Sequence, residues 1–481
     1  MKKHLILVLA LALVAGLTVG AYAEVQNVKV SGDITVLGLS RNLWITSHPA
    51  ENTFASIMRL RVDADLTDNV IATVRLINER YWGRSGDSTT QEAMINGNNE
   101  SNTNITLDLA YVTLKEFLYS PLTLTIGRQE LHFGNDMIVG DAYTNNHASK
   151  DSVFNSTIDA DLSMRKSFDA IRATLNYDPL VIDVVAAQLR KNYNVLETGT
   201  NNVLSKDNQE ILVGINANYA VSKTTAVEGY FWQRNLGKQH AIGAAGSGVS
   251  APNKQDITNV VGARIITKPL DMLTWQLEGA YQFGNDTLVT NPTTGTISAR
   301  SQGLKREAFA IETAATYDMR NYKTIGKYVP TVTALYAYFS GDRGSGSGGK
   351  TNSAWDPMYE NQKFGDIANA LFNQTNAHIA GGIITMKPVD DVMLKGEYYA
   401  YWWDKRFVNG GSAIALATGE VATMTGKKFA GQEIDLSATY DYTEDVQFGI
   451  LGGMLFPGNS FAKDNNRNMA GEVIGSMKVT F

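Results

Sequence analysis

The chain has 481 residues and no cysteine, with 44% hydrophobic residues, 19% charged residues and a formal net charge of −6. Without cysteine it can form neither a disulfide nor a thiolate metal site, and it offers no attachment point for a lipoprotein anchor. An acidic chain without a basic run argues against nucleic acid as a partner. No linker or change of composition divides the sequence, which favours one architecture throughout.

The first 23 residues have the pattern of a secretory signal peptide. Two lysines follow the first methionine, an apolar run begins at Leu5, and residues 21–23 form a small-x-small cleavage site. The alternative is an uncleaved membrane anchor, but the apolar run is short for the ~20 residues that a helical span needs. We therefore expect residues 1–23 to be removed and residues 24–481 to form the mature domain.

After the signal, apolar and polar residues alternate with a period of two, as they do on strands that have one apolar and one polar face. Most of these segments have about ten to fourteen residues, whereas soluble strands have about five or six and a bilayer-crossing strand needs about nine to eleven. We count eighteen of them, beginning near Asn27, Phe54, Asn69, Asn104, Leu122, Ser163, Leu180, Asn208, Thr224, Asp256, Leu273, Arg306, Val329, Asn376, Val392, Gln432, Val446 and Asn468.

Short and long connections alternate along the chain. The short ones lie at 67–69, near Pro121, at 178–179, 221–223 and 268–271, near Tyr322, and at 387–390 and 443–445. The long ones are polar and rich in Gly, Asn and Ser: 41–53, 83–103, 134–162, 195–207, 237–255, 285–305, 342–375, 404–431 and 459–467. This alternation is typical of an even-stranded barrel with periplasmic turns and extracellular loops. The sequence thus predicts an all-β fold, a transmembrane antiparallel up-and-down β-barrel of about 18 strands in the bacterial outer membrane.

The last segment, residues 468–481, alternates throughout and ends on an aromatic residue. Val473, Met477 and Phe481 share its apolar face with Gly475 and Val479. A final Phe on such a strand resembles the C-terminal signature of bacterial outer-membrane barrels, which implies recognition by the barrel-assembly machinery. The alternative is an edge strand of a soluble sandwich.

Charged residues fall on one face of the second strand, which carries Arg59, Arg61 and Asp63. A charge at the bilayer midplane costs ~2–4 kcal/mol, so this face must line the interior. The same sorting places further charges inside: Arg75, Glu79, Asp108, Arg172, Glu210, Glu228, Arg264, Glu278, Arg306, Glu312, Lys395, Glu397, Glu433, Asp435, Glu472 and Lys478. At this strand number the lumen is wide enough for a water-filled pore. The alternative is a network of mutually neutralised salt bridges. Both signs are present, so the count alone predicts no strong ion selectivity.

Aromatic clusters recur at the loop ends of the predicted strands: Tyr81 with Trp82, Phe231 with Trp232, and residues 401–403. An interfacial aromatic girdle is the ordinary interpretation. Lumen-facing rings for stacking on sugars are the alternative. Because neighbours alternate sides, Trp402 and Trp403 can serve one purpose each.

The stretch from 107 to 189 carries the most specific motifs, GRQEL, a Phe-Gly turn and FDAIR. It resembles the alginate-export family of outer-membrane proteins through Gly127, Arg128, Gln129, Phe133, Gly134, Phe168, Asp169 and Arg172. The resemblance implies an eighteen-stranded secretion porin that passes an anionic polyuronate, with Arg128 and Arg172 as pore-lining cations.

The register around Arg128 is irregular. Leu122, Leu124 and Ile126 face lipid by parity, which sends Arg128 outward too, whereas Leu131 and Phe133 have the opposite parity. A β-bulge inserts one extra residue, and Gly127 is a favourable place for it. We predict a bulge near residues 126–128 that turns Arg128, Glu130 and His132 into the lumen. The alternative is that Arg128 lies above the membrane and snorkels.

No catalytic, metal or cofactor site is expected. The six histidines show no metal-ligand spacing, and Glu130 with His132 lacks a positioned nucleophile. We predict a non-enzymatic porin for passive passage of a hydrophilic solute or an exported anionic polysaccharide, in contact with outer-membrane lipid. The alternatives are a structural or adhesin barrel with a plugged lumen and an outer-membrane hydrolase. A long loop folded into the lumen, from 134–162 or 342–375, would separate a porin from an open pipe.

Overall fold

The structure, a computed structural model, describes residues 27–42, 51–82, 105–142, 167–190, 210–236, 255–290, 297–342, 350–407, 413–415, 421–463 and 467–481. The predicted signal peptide, residues 1–23, lies outside these ranges. No helix in the described ranges is long and apolar enough to cross a membrane.

Eighteen long strands build one closed sheet. They are β1 (Asn27–Asn42), β2 (Glu51–Thr67), β3 (Val70–Tyr81), β4 (Thr106–Leu114), β5 (Leu122–Gln129), β6 (Phe168–Asn176), β7 (Leu180–Arg190), β8 (Glu210–Ser222), β9 (Thr225–Leu236), β10 (Asp256–Leu270), β11 (Leu273–Thr290), β12 (Ile297–Asp318), β13 (Thr331–Phe339), β15 (Ala377–Val389), β16 (Val392–Trp403), β19 (Phe429–Asp441), β20 (Val446–Pro457) and β21 (Ala470–Thr480).

Shorter elements lie between the barrel strands. They are a 3₁₀ turn (Gly326–Tyr328), β14 (Thr351–Asn352), which pairs in parallel with β12, the helix α1 (Ile367–Leu371), and the hairpin of β17 (Ala413–Ala415) and β18 (Val421–Thr423).

Each barrel strand pairs antiparallel with the next one along the chain, and β1 pairs with both β2 and β21 to close the sheet. The predicted 18-stranded up-and-down barrel is confirmed, and the strands begin within a few residues of the expected positions in all but one case. The exception is β12, which begins at Ile297 instead of near Arg306. The ladder of β11 and β12 continues past the apolar alternation, because backbone pairing above a membrane requires no lipid-facing side chains.

The barrel closes where the last residue meets the first strand. Gly32 N–H donates to the Phe481 carbonyl at 2.8 Å, and Phe481 N–H donates to the Gly32 carbonyl at 3.0 Å. A Cβ on Gly32 would lie 2.5 Å from the Arg59 carbonyl oxygen and 2.7 Å from the Phe481 ring. Glycine is therefore required for the Phe481 ring to cover this seam.

The predicted bulge in β5 is wrong. Pairing is regular through Gly127 on both sides of the strand, with Arg128 opposite Ala110 and Asp169. Arg128 shares the outer face with Ile126, so it is not brought into the lumen, and its Nη1 contacts Asp169 Oδ1 at 3.3 Å. The strand ends at Gln129 and the chain then leaves the wall, which is why Leu131 and Phe133 break the parity.

A bulge lies instead in the neighbouring strand, β4. Leu109 pairs with Arg75 and Leu107 pairs with Leu76, which leaves Asp108 as the extra residue. A bulge can turn two successive side chains to one side. Asp108 and Leu109 are both buried, and Asp108 forms an ion pair with Arg75 on the inner face.

The close packing at Gly32 predicts that a methyl group added there lowers the stability of the barrel. Gly32→Ala would force the Cβ against the Arg59 carbonyl and the Phe481 ring, and we expect a loss of about 1–3 kcal/mol in the free energy of unfolding, as for other overpacked sites. The measurement is the temperature at which the folded band disappears in heat-modifiability electrophoresis.

Gly475→Ala is the matched control on the same seam, because a Cβ there would meet no atom within 4 Å. Equal melting of the two variants would contradict the proposed packing of Phe481.

Candidate functional site

Two chain segments enter the barrel and pack on its inner face. The first inserted segment, residues 130–142, follows β5, and the second inserted segment, residues 353–376, leads into β15. They join each other: Gly140 N–H donates to the Tyr359 carbonyl at 2.7 Å and Asn361 N–H to the Asp136 carbonyl at 2.9 Å. Parts of both loops that were considered for insertion are thus in the lumen, while residues 143–162 and 343–349 lie outside the described ranges.

Apolar side chains of the inserted segments form a core against one side of the wall. The Phe133 ring lies 4.9 Å from that of Trp232, and Tyr359 meets Phe168 edge-on at 5.9 Å. Met137 and Met358 have no exposed surface. This packing turns inward-facing wall residues of β6 to β21 into a second hydrophobic interior inside the barrel.

Wall carboxylates hold the first inserted segment. Glu228 Oε1 accepts the Gly134 N–H at 2.9 Å, and Glu278 Oε2 accepts the Asn135 N–H at 2.8 Å. The Asn135 side-chain amide donates to Glu312 Oε2 at 3.0 Å. These bonds satisfy donors that the segment would otherwise bury without a partner.

The structure explains why Phe133 and Gly134 occur at the Phe-Gly turn. Gly134 has a φ of +65°, and a Cβ on it would lie 2.6 Å from Glu278 Oε1. Phe133 before it fills the space against Trp232. The motif is the entry point of the segment into the lumen.

The second inserted segment is held in the same way. Glu433 accepts the N–H groups of Ile367 at 2.7 Å and Ala368 at 2.8 Å, at the start of α1. Asp435 accepts the Asp366 N–H at 3.2 Å. Glu433 has no exposed surface, so these N–H groups replace the hydrogen bonds that its carboxyl group would make with water.

Two further contacts fix the middle of this segment. Arg234 Nη1 donates to Asp356 Oδ1 at 3.2 Å, and the Tyr359 hydroxyl donates to Glu210 Oε1 at 2.6 Å. Burial, followed by the nearby Glu210 carboxylate, raises the pKa of Tyr359 well above its usual value, so the donor hydrogen is retained.

The predicted lumen residues other than Arg128 lie on or against the inner face, mostly in ion pairs. Their partners and distances are Arg59–Asp33 at 3.3 Å, Arg61–Asp63 at 2.7 Å, Arg172–Asp183 at 2.8 Å, Arg264–Glu228 at 3.5 Å, Arg306–Asp286 at 3.1 Å and Lys395–Glu397 at 2.8 Å. Arg75 pairs with both Asp108 and Glu130, which places Glu130 inside although no bulge turns it there.

The two members of these pairs differ in exposure. The Arg172 side chain is 31% exposed and Asp183 6%, while Lys395 is 40% exposed and Glu397 15%. Arg59, Arg61 and Arg264 are likewise more exposed than their wall partners. Arg75 is also more exposed than its wall partner Asp108, but it is less exposed than Glu130 on the first inserted segment. Arg234 is more buried than Asp356 of the second inserted segment.

The aromatic pairs divide between the two faces. Trp402 is exposed on the outer face, whereas Trp403 is buried inside, 5.6 Å from the Phe372 ring of the second inserted segment. Trp232 is fully buried against Phe133. Trp232 and Trp403 therefore pack in the core between the wall and the inserted segments, and neither ring is open to stacking by a sugar.

Other contacts separate the one acid–base pair that the sequence offered. His132 Nδ1 bonds Asp136 Oδ2 at 3.0 Å, while Glu130 pairs with Arg75. Sequence reasoning missed Arg234 and Asp356. Arg234 shares the parity of Trp232, which would have placed it inside, but no strand pattern marks the loop residue Asp356.

The sequence profile described as Alginate export matches residues 38–474. The chain belongs to the alginate export family. Its location is the bacterial outer membrane, where the barrel is a channel protein.

Solved structures share the fold at low identity. They include Acinetobacter baumannii OccAB1 (10% identity, TM-score 0.56, 95% of this chain and 97% of that one), Acinetobacter baumannii OccAB4 (10%, 0.51, 96% and 99%) and Pseudomonas aeruginosa OccK8 (OprE) (10%, 0.52, 95% and 98%). At this identity the likeness shows the fold alone. A search of curated protein sequences found no match.

The hydrogen bonds between Glu433 and α1 lead to a prediction about the stability of the second inserted segment. Glu433→Gln leaves one acceptor oxygen for the two N–H groups of Ile367 and Ala368. We expect hydrogen–deuterium exchange in residues 360–376 to become about tenfold faster or more, since a buried donor left without a partner costs about 1–3 kcal/mol.

Glu307→Gln is the control, because Glu307 pairs with Lys305 on the outer face of β12 and touches neither inserted segment. Unchanged exchange in both variants would show that Glu433 does not hold α1.

Proposed function

We propose that this protein is a passive channel for hydrophilic anions, with an acidic polysaccharide such as a polyuronate as the favoured solute. The observation that carries the proposal is the exposure of the lumen ion pairs. In five of these pairs the cationic side chain is more exposed than the wall carboxylate with which it pairs: Arg59, Arg61, Arg172, Arg264 and Lys395.

The inserted segments strengthen this asymmetry. Glu228, Glu278, Glu312, Glu433 and Asp435 are buried behind or beneath them and bond to their N–H groups. A solute in the remaining space meets the more exposed cations at short range. Several weak cationic sites in series suit conduction, because each binds an anion without retaining it.

The family supports the polysaccharide as the solute, since its description is alginate export. Of the two arginines that the resemblance implies, Arg172 lies on the inner face beside Phe133, with its guanidinium carbon 5.2 Å from the ring centroid. Arg128 is on the outer face and has no part in the proposed path. No step of the proposed function is chemical.

A plugged, structural or adhesive barrel is the second candidate. It is favoured by the apolar core that the inserted segments build inside the lumen. The two candidates differ in one measurable property, because a plugged barrel that is correctly folded passes no ions.

Two processing steps belong to the same proposal. Residues 1–23 direct export and are removed, leaving residues 24–481 as the barrel. The strand that ends at Phe481 is the segment that the barrel-assembly machinery recognises. Its pairing with β1 across the seam supports this role, because it is the strand that completes closure.

Charge reversal in the lumen tests the function. Arg172→Glu and Lys395→Glu replace exposed cations, and we expect each to lower the preference for anions and to weaken block by added polyuronate. The measurement is single-channel conductance and reversal potential in planar bilayers under a salt gradient.

Lys305→Glu, on the outer face, is the control and keeps the wild-type reversal potential. A wild-type channel with cation preference and no polyuronate block would refute the anionic solute. Folded protein without conductance steps would favour the plugged barrel.

A further inference from the structure

A groove with a volume of about 530 Å³ crosses the outer face of three strands near their loop ends. Small residues of β15 and β16 form its floor: Ala380, Gly382 and Ala400. Tyr398 and Trp402 of β16 and Phe429 and Gln432 of β19 form its raised side. The Tyr398 hydroxyl donates to Gln432 Oε1 at 3.0 Å, so the polar groups of this side satisfy each other.

The position of the groove limits what can fill it. On β16 it extends from Trp402 to Tyr398, which is roughly 13 Å of strand at about 3.3 Å per residue. It starts one residue before the strand's end at Trp403, on the loop side. This length is less than half of a hydrocarbon layer about 30 Å thick, and the outward side chains Tyr398 and Trp402 are exposed. Water has no favourable place there, so an acyl chain is the occupant that the membrane supplies.

The rim above the groove is basic. The Lys428 carbonyl accepts the Trp403 N–H at 2.8 Å, which places Lys428 directly beyond the wall residues Trp402 and Phe429. Lys428 is exposed, and within the described ranges no hydrogen bond or ion pair involves its ammonium group. Lys405, whose ammonium group pairs with Asp404, lies on the same rim beside His378.

We propose that this groove binds one acyl chain of an anionic, phosphate-bearing lipid of the outer leaflet, with its headgroup at Lys428. The aromatic side and the small-residue floor hold the chain, and the Lys428 ammonium group selects the negative headgroup. The site faces lipid and is separate from the solute path, so it stands or falls independently of the proposed transport function.

Native mass spectrometry of the full chain in detergent tests the site, with dipalmitoyl phosphatidylglycerol and dipalmitoyl phosphatidylcholine as the probes. We expect one retained lipid per chain and a preference of about fivefold for the anionic probe, as one lysine near an anionic headgroup provides. Lys428→Gln removes that preference. Lys305→Gln, at the rim of β12 and paired with Glu307, keeps it.

Filling the groove tests the acyl-chain contact. A Cβ on Gly382 would meet only the Thr333 carbonyl oxygen, at 3.7 Å, so Gly382→Leu can place its side chain in the groove, and we expect it to reduce retention of both probes. Gly475→Leu, on the lipid face outside the groove, does not. Ala400→Leu replaces Gly382→Leu if that variant loses its heat-modifiable folded band.

Two results would overturn the site. One is wild-type lipid retention in the filled-groove variant. The other is a dimer of the wild-type chain that Gly382→Leu dissociates, because the groove would then be an interface between two copies.

Discussion

A buried backbone N–H group needs an acceptor, and inside this barrel the acceptors are carboxylates on the wall. Glu228 and Glu278 bind the turn at Gly134 and Asn135, and Glu433 binds the start of α1. Without these bonds the inserted segments would bury unpaired donors and the wall would bury unpaired acceptors, and both are costly. The shape of the lumen depends on these hydrogen bonds between the wall and the inserted segments.

The same hydrogen bonds determine which charged side chains of the lumen remain exposed to water. Counted along the strands, acidic residues are at least as frequent as basic ones on the inner face. Many of those acids are anchors with almost no exposed surface, while Arg172 and Lys395 remain in contact with water. The field that a solute meets therefore depends on which member of each pair is covered, and a charge count cannot supply that information.

Three local features adapt the regular ladder to the side chains around it. The bulge at Asp108 brings a second carboxylate to Arg75. Gly32 admits the Phe481 ring at the seam, and Gly134 allows the turn by which the chain leaves the wall. These three positions show different ways in which a regular ladder accommodates closure, charge pairing and insertion.

The sequence by itself determined the number and order of the strands and which residues face the lumen. In a barrel that crosses a membrane, apolar lipid-facing residues alternate with lumen-facing residues along every strand. The sequence also identified the Arg172 and Lys395 positions as inward and the chain as similar to its family. The tertiary structure decided the rest. Insertion of residues 130–142 and 353–376 depends on carboxylates from distant strands, and loop sequences carry no periodic signal. The bulge was expected in β5 but occurs in β4, because a bulge is a property of strand pairing and parity on one strand cannot locate it.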